Sequence, residues 1–286
     1  MRKRLRSKLS NELSTEQLSR AYNSFDIIGD IAIIKHNNIQ NPEFVAKEIM
    51  AIHRNIKSVF TPVTRIEGDY RVRKLKLLAG ENKKSTVHKE SGCTFRVDIE
   101  KCYFSPRLSF EHSRIAGLVG AGEVVVNMFA GVGCFSILIA KTACQSKVYS
   151  IDINPTAVKC MVENVKINRV SKHVIPLLGD SKEIIETQLL GIADRVLMPL
   201  PEKALEYLPF ALSALKGTGG WIHYYDFQHV QGKEDPANKT ELKVAEKLRR
   251  LGVEYKFANS RVIRPTGPNW YQTVLDIHVI RLPSKF

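Results

Sequence analysis

Two glycines and a carboxylate carry the most legible chemistry in this chain. The segment from Asn127 to Phe135, NMFAGVGCF, sets Gly131 and Gly133 between an apolar run and a helix-like stretch. In an α/β fold such a turn lies beyond the carboxyl ends of the strands, where ligands bind. Glycines there let the backbone approach a ligand closely, and Phe129 and Ala130 complete the loop. The same glycines also suit a tight strand–helix turn with no ligand at all. Asp152 ends the next apolar run, where a carboxylate can accept hydrogen bonds from ribose hydroxyls. Gly179-Asp180 follows the third, where a carboxylate can meet an adenine amine. A dinucleotide fingerprint asks for a third glycine three residues after Gly133, and Ser136 stands there. No Gly-Lys-Ser/Thr follows, which excludes a P-loop.

The elements that must hold these residues alternate regularly. Apolar runs at 122–129, 147–152, 173–178, 195–200 and 221–227 are separated by helical stretches from Cys134 onward, at 155–168, around 202–216 and around 240–251. This order predicts a doubly wound, mostly parallel sheet. Two final strands, near 253–264 and 271–281, have no helix between them, so that pair is expected to be antiparallel. An antiparallel end suits methyltransferases better than dehydrogenases, and S-adenosylmethionine is the better cofactor for this loop. The first hundred residues differ. A hairpin over 25–35 turns at Gly29-Asp30, a helix follows around 43–56, then strands near 70–78, 86–89 and 94–99. The expected organisation is a basic N-terminal extension (1–24), a small α+β domain (25–102) and an α/β domain (103–286).

Composition narrows the partner. The chain has 286 residues, 44% hydrophobic and 25% charged, enough for one large domain and a smaller one. No apolar run reaches the roughly 20 residues of a membrane span, and the basic start MRKRLRSKLS has no apolar stretch behind it. A cytoplasmic protein is expected. The five cysteines form no C-x-x-C pair, so neither a disulfide framework nor a metal site is read from them. The net charge of +14 suits a polyanion. It is clustered: residues 1–20 hold six basic and two acidic side chains, residues 71–90 seven and two.

The segments YFSPRLSFEHSRI (103–115), VVVNMFAGVGCFSI (124–137), VYSIDINPTAV (148–158) and WIHYYDF (221–227) resemble the archaeal and eukaryotic tRNA guanosine-37 N1-methyltransferases and their relatives in the wybutosine pathway. So do GDYRVRKLKLLAGE (68–81) and STVHKESG (85–92). The resemblance covers about residues 25–286. It implies a class I S-adenosylmethionine-dependent methyltransferase, Rossmann-like, behind a small RNA-handling domain, with the tRNA anticodon arm as partner and no stable protein partner. Many archaeal relatives carry a further N-terminal domain that docks on the tRNA elbow, whereas a basic stretch of about 24 residues precedes the resemblance here, so recognition is expected to rest on the anticodon arm.

Methylating guanine N1 requires an acceptor for its proton and a donor or cation for the charge that spreads to O6. The resemblance assigns the base to Glu111 and the charge-supporting arginine to Arg71, with Arg73 two residues on as the alternative. Tyr103 and Arg107 are expected to border the base pocket or to pack the domain junction. The family commonly has Asn-Leu-Pro after the fourth strand, and here Met198-Pro199-Leu200-Pro201 stands. Pro199 has no side-chain donor or acceptor, so contacts around Pro199 and Pro201 are expected from backbone carbonyls. A less polar pocket suits a tricyclic guanine derivative, which some relatives methylate at carbon. The remaining alternatives are transfer of an aminocarboxypropyl group and a non-catalytic RNA-binding protein.

Overall fold

The structure is a computed structural model and describes residues 25–34, 41–143, 145–284 and 286. The basic extension (1–24) and Cys144 lie outside the described residues. The N-terminal unit begins with the expected hairpin, β1 (Phe25–Ile28) against β2 (Ile31–Ile34), with Ile28 opposite Ile31. A helix, α1 (Pro42–Ile52), starts on Asn41, whose side chain accepts the Phe44 N–H. It returns the chain to β3 (Ser58–Pro62), parallel to β2, and β4 (Leu75–Gly80) closes the four-stranded sheet. The sequence reading missed β3 and started the following strand at 70. Residues 63–74 instead form a loop, bridged between Glu67 and Val72, with Arg71 in the left-handed region at φ 51°.

A second hairpin, β5 (Ser85–Glu90) and β6 (Cys93–Asp98), lies on the larger unit. Asn164 and Asn168, in and just after the helix Pro155–Ile167, accept the Arg96 and Thr94 backbone N–H groups at 2.6 and 2.9 Å and donate back to the same residues' carbonyls. After a short 3-10 turn (Pro106–Leu108), α2 (Ser109–Leu118) leads into the large sheet.

That sheet comprises β7 (Val124–Asn127), β8 (Lys147–Asp152), β9 (Val174–Leu178), β10 (Arg195–Met198), β11 (Gly220–His229), β12 (Glu254–Gly267) and β13 (Trp270–Arg281). Their order is β12-β13-β11-β10-β7-β8-β9. Strands β7 to β11 run parallel, and β13 enters antiparallel between β11 and β12, as the missing helix required. The connecting helices are α3 (Cys134–Thr142), α4 (Pro155–Ile167), α5 (Ser181–Gln188), α6 (Ala204–Ala214) and α7 (Pro236–Leu251). One core packs α2, α3, α4 and β6 against one face, and another packs α5, α6 and α7 against the opposite face. The order reverses direction at β7, whose outer neighbours are β8 and β10, so a crevice opens above the carboxyl ends of these three strands. Among the described residues, no helix is long and apolar enough to cross a membrane.

Candidate active site

A cavity of about 420 Å³ occupies that crevice, within the roughly 300–1,000 Å³ usual for small-molecule sites. Its floor is the carboxyl ends of β7, β8 and β9: Phe129, Gly131, Asp152, Gly179 and Asp180. Gly131 takes φ 57°, and a Cβ there would meet only the Tyr103 carbonyl oxygen, at 3.8 Å. The loop therefore presents bare backbone to the cavity. Gly133 serves packing instead. At φ 95° its added Cβ would stand 3.0 Å from Met161 Cγ and 3.2 Å from Ile137 Cδ1.

Asp152 is the anchor of the loop. One carboxylate oxygen accepts Gly131 N–H at 2.7 Å and the other accepts Asn154 N–H at 2.9 Å. Burial pushes its pKa up, and the two backbone hydrogen bonds only partly offset this. A carboxylate has about four lone-pair sites, so Asp152 keeps capacity for a diol in the cavity. Asp180 caps α5 through Lys182 N–H at 2.8 Å and accepts the Tyr207 hydroxyl at 2.8 Å. Tyr207 meets the Phe129 ring edge-on, centroids 5.3 Å apart.

The roof comes from the N-terminal unit. Residues 66–71 line the cavity with Tyr103, and Arg71 lies over the Tyr103 ring at 4.3 Å while pairing with Glu202 at 2.9 Å. Pro199 lines the wall; Pro201 is buried outside it. Ala130 is buried, its N–H on the Ile151 carbonyl. Arg73 faces an adjoining narrow pocket shared with Tyr103 and Arg71, and burial lowers its pKa despite Asp26 nearby. Arg107 pairs with Asp26 at 2.6 Å and does not line the cavity.

Glu111 is also outside the cavity wall. It is 1% exposed, and both its oxygens are engaged: Oε1 accepts the Tyr225 hydroxyl and Arg114 Nη2, each at 2.8 Å, and Oε2 accepts Arg114 Nε at 3.0 Å and the Arg261 guanidinium. Behind it a buried polar chain crosses the sheet. Arg114 also reaches Asp276 at 2.6 Å, Asp276 meets His223 Nδ1 at 2.5 Å, and His223 Nε2 meets Arg195 at 2.7 Å. Arginine only donates, so His223 Nε2 must accept and Nδ1–H must donate to Asp276. The imidazole is thus neutral, consistent with burial driving its pKa down. Burial works against Asp276, but His223 and Arg114 hold its carboxyl well below the usual range.

A model of the TRM5/TYW2 methyltransferase domain matches residues 86–254, and one of the TYW2 N-terminal domain matches residues 5–83. The tRNA (guanine(37)-N(1))-methyltransferase Trm5b of Pyrococcus abyssi is 43% identical over 259 residues, covering 90% of this chain and 74% of the relative. The chain belongs to the TRM5/TYW2 methyltransferase family. Another member, the tRNA 4-demethylwyosine(37)-methyltransferase Taw21 of Saccharolobus solfataricus, is 38% identical over 259 residues, covering 88% of this chain and 92% of that one. The solved complex of aTrm5 with tRNALeu superposes with a TM-score of 0.81 at 33% identity, covering 96% of this chain and 78% of that one.

As a TRM5/TYW2 methyltransferase, the chain has the class I fold, with a mostly parallel seven-stranded sheet behind an α+β unit, that its resemblance implied. Tyr207, Asn154 and Glu202 also line the site and were missed from sequence. Asn154 carried a usable signal: it precedes Pro155 and caps α4 through Thr156 N–H at 2.9 Å, the pattern expected at a helix start. Tyr207 and Glu202 carried none, since only the fold brings them to Asp180 and Arg71. The sequence also gave no warning that Glu90, His112 and Cys134 place ligand-type atoms within 4.8 Å of one another. Glu90 Oε1 and His112 Nδ1 are 2.7 Å apart, a hydrogen bond. Two ligands on one tetrahedral zinc at 2.0–2.1 Å would stand about 3.3 Å apart.

Proposed function

We propose that this TRM5/TYW2 family member is a cytoplasmic S-adenosylmethionine-dependent tRNA methyltransferase that methylates N1 of guanosine 37, beside the anticodon. The observation that carries the reading is the cavity itself, in which the bare Gly131 backbone, the Asp152 carboxylate, Asp180 and Tyr103 share a wall with Arg71 of the other unit. The donor set fits the cofactor: Asp152 would take the ribose diol and Asp180 the adenine amine, with Phe129 and the Pro199 backbone beside them in the lining. When bound, the cofactor supplies an electrophilic methyl group, so the reaction asks no Lewis acid of the protein.

The chain's own residues have two tasks. Arg71, held by the Tyr103 ring and Glu202, is the candidate to meet charge developing on O6. Glu111 is the candidate acceptor of the N1 proton. Incubation of the protein with labelled cofactor and tRNA transcripts bearing G37 or A37 tests the reading. Label is expected in the G37 transcript alone, and equal labelling of both would overturn it.

Pro199 favours a second substrate for the same pocket. Without an asparagine amide, a tricyclic guanine derivative at position 37 is accepted alongside guanosine. Pro199→Asn is then expected to shift preference toward guanosine by about 0.5–1.5 kcal/mol, one hydrogen bond. Competition between the two tRNAs measures this, and an unchanged ratio contradicts it.

A further inference from the structure

Glu111 cannot accept a proton from a substrate in the cavity while all its near neighbours hold it, so one of them must leave. Three side chains hold it, from three elements: Arg114 of α2, Tyr225 of β11 and Arg261 of β12. Tyr225 is 1% exposed and packed against Phe135. Arg114 is clamped from its far side by both oxygens of Asp276, at 2.6 and 3.1 Å. Releasing Arg114 would take a cationic partner from two buried carboxylates at once. Arg261 differs in each respect. It is the most exposed of the three side chains, at 28% against 17% for Arg114. Glu111 is its acidic partner among the described residues, and its Nε hydrogen finds no acceptor there. Outside, its guanidinium lies 5.6 Å from the ring of Phe110, which is 73% exposed.

The strand geometry links Arg261 to the cavity. β12 is the edge of the sheet, and its register against β13 shifts between Val262 and Arg264, leaving Ile263 without a cross-strand partner. One extra residue makes positions 261 and 264 equivalent to i and i+2, which share a face. Arg264 accordingly reaches Ser105 Oγ at 3.2 Å and the hydroxyl of Tyr103, in the cavity wall, at 3.4 Å. Arg261 at Glu111 and Arg264 at the cavity wall thus stand on the same face of β12.

We propose that Arg261 is a positioning residue that exchanges partners when RNA binds: it leaves Glu111 Oε2 for an RNA phosphate, and this frees the carboxylate for the N1 proton. The proposal rests on Glu111 being the base. Exchange is chemically balanced, since the guanidinium trades one oxyanion, met through Nη2 alone, for another that it can meet through two N–H groups, and its idle Nε–H gains an acceptor. Arg114 and Tyr225 stay and hold the freed carboxylate in place.

The test is steady-state kinetics and tRNA binding against salt for wild type, Arg261→Ala, Arg261→Lys and Arg114→Ala. Arg261→Ala is expected to weaken tRNA binding and to lower the slope of log affinity against log salt by about 0.7–0.9, one phosphate contact. Its loss in kcat/KM should lie in KM, and Arg261→Lys should restore the slope. Arg114→Ala, which unseats Glu111, should lose kcat with the salt slope intact. An unchanged slope in Arg261→Ala, or a loss confined to kcat, overturns the exchange and makes Arg261 a fixed strut. Undiminished turnover in Glu111→Gln overturns the base assignment instead, and the release of a base falls with it.

Discussion

Asp152 shows how one carboxylate serves both the chain and a ligand. It ties the glycine loop to β8 through two backbone N–H groups, and burial makes any further donor valuable to it. Asp152→Ala is therefore expected to weaken S-adenosylmethionine binding by about 1.5–3 kcal/mol, the usual size for a hydrogen bond to a charged group, measured by calorimetry. Affinity equal to wild type would remove Asp152 from the cofactor site. For Glu111→Gln, single-turnover rate is expected to fall roughly 10²–10⁴-fold, as for lost general bases, with cofactor affinity retained. Asp152 was legible from its place at a strand end. Glu111 was singled out by the resemblance alone, and its environment was not legible. Arg114 is three positions away, whereas Tyr225 and Arg261 are 114 and 150 positions away, and no local pattern encodes such pairing.

Elements explain why the site holds its shape. At the head of α3, Gly133→Ala must place a Cβ against Met161 at a φ of 95°. A loss on the order of 1–3 kcal/mol is expected in denaturant unfolding, together with weaker cofactor binding; a neutral substitution would mean that the loop relaxes freely. Hairpin β5–β6 is tied to α2 by Glu90. Burial pushes the Glu90 carboxyl up, but the His112 hydrogen bond and the His88 imidazole 3.7 Å away outweigh this and hold it at about 2, against 4.5 when unfolded. A carboxyl depressed by folding contributes stability that is complete above its unfolded pKa and is lost as pH falls toward the folded one. Stability is thus expected to drop between about pH 4.5 and 2 by an amount on the order of 3 kcal/mol. In Glu90→Gln this part of the pH dependence should disappear from unfolding curves. The strands that alternate with helices were readable from period and length. The β3 strand was missed because SVFTP is short and ends in proline, and the loop at 63–74 was overwritten because its apolar residues mimic a strand. That loop is part of the cavity roof, and exposed Val63, Ile66 and Tyr70 sit in it without a core to explain them.

At the scale of the molecule, charge and topology agree. The net charge of +14 is that of the whole chain, and the basic cluster at 71–89 falls in the unit that roofs the cavity. Lys76 and Lys83 of that cluster are more than half exposed, at 63% and 52%. Replacing both by Glu is expected to weaken tRNA binding and to lower its salt slope by about 0.7–0.9 per lost phosphate contact, with no change in cofactor affinity. An unaltered slope would place the RNA elsewhere. The central claim is the transfer of a methyl group to one base. It is tested most directly by nucleoside mass spectrometry of a G37 tRNA transcript after incubation with the protein and methyl-labelled S-adenosylmethionine. The account predicts a single labelled methyl group, recovered as 1-methylguanosine from position 37. An unmodified guanosine 37, or a gain of an aminocarboxypropyl group there, would contradict it.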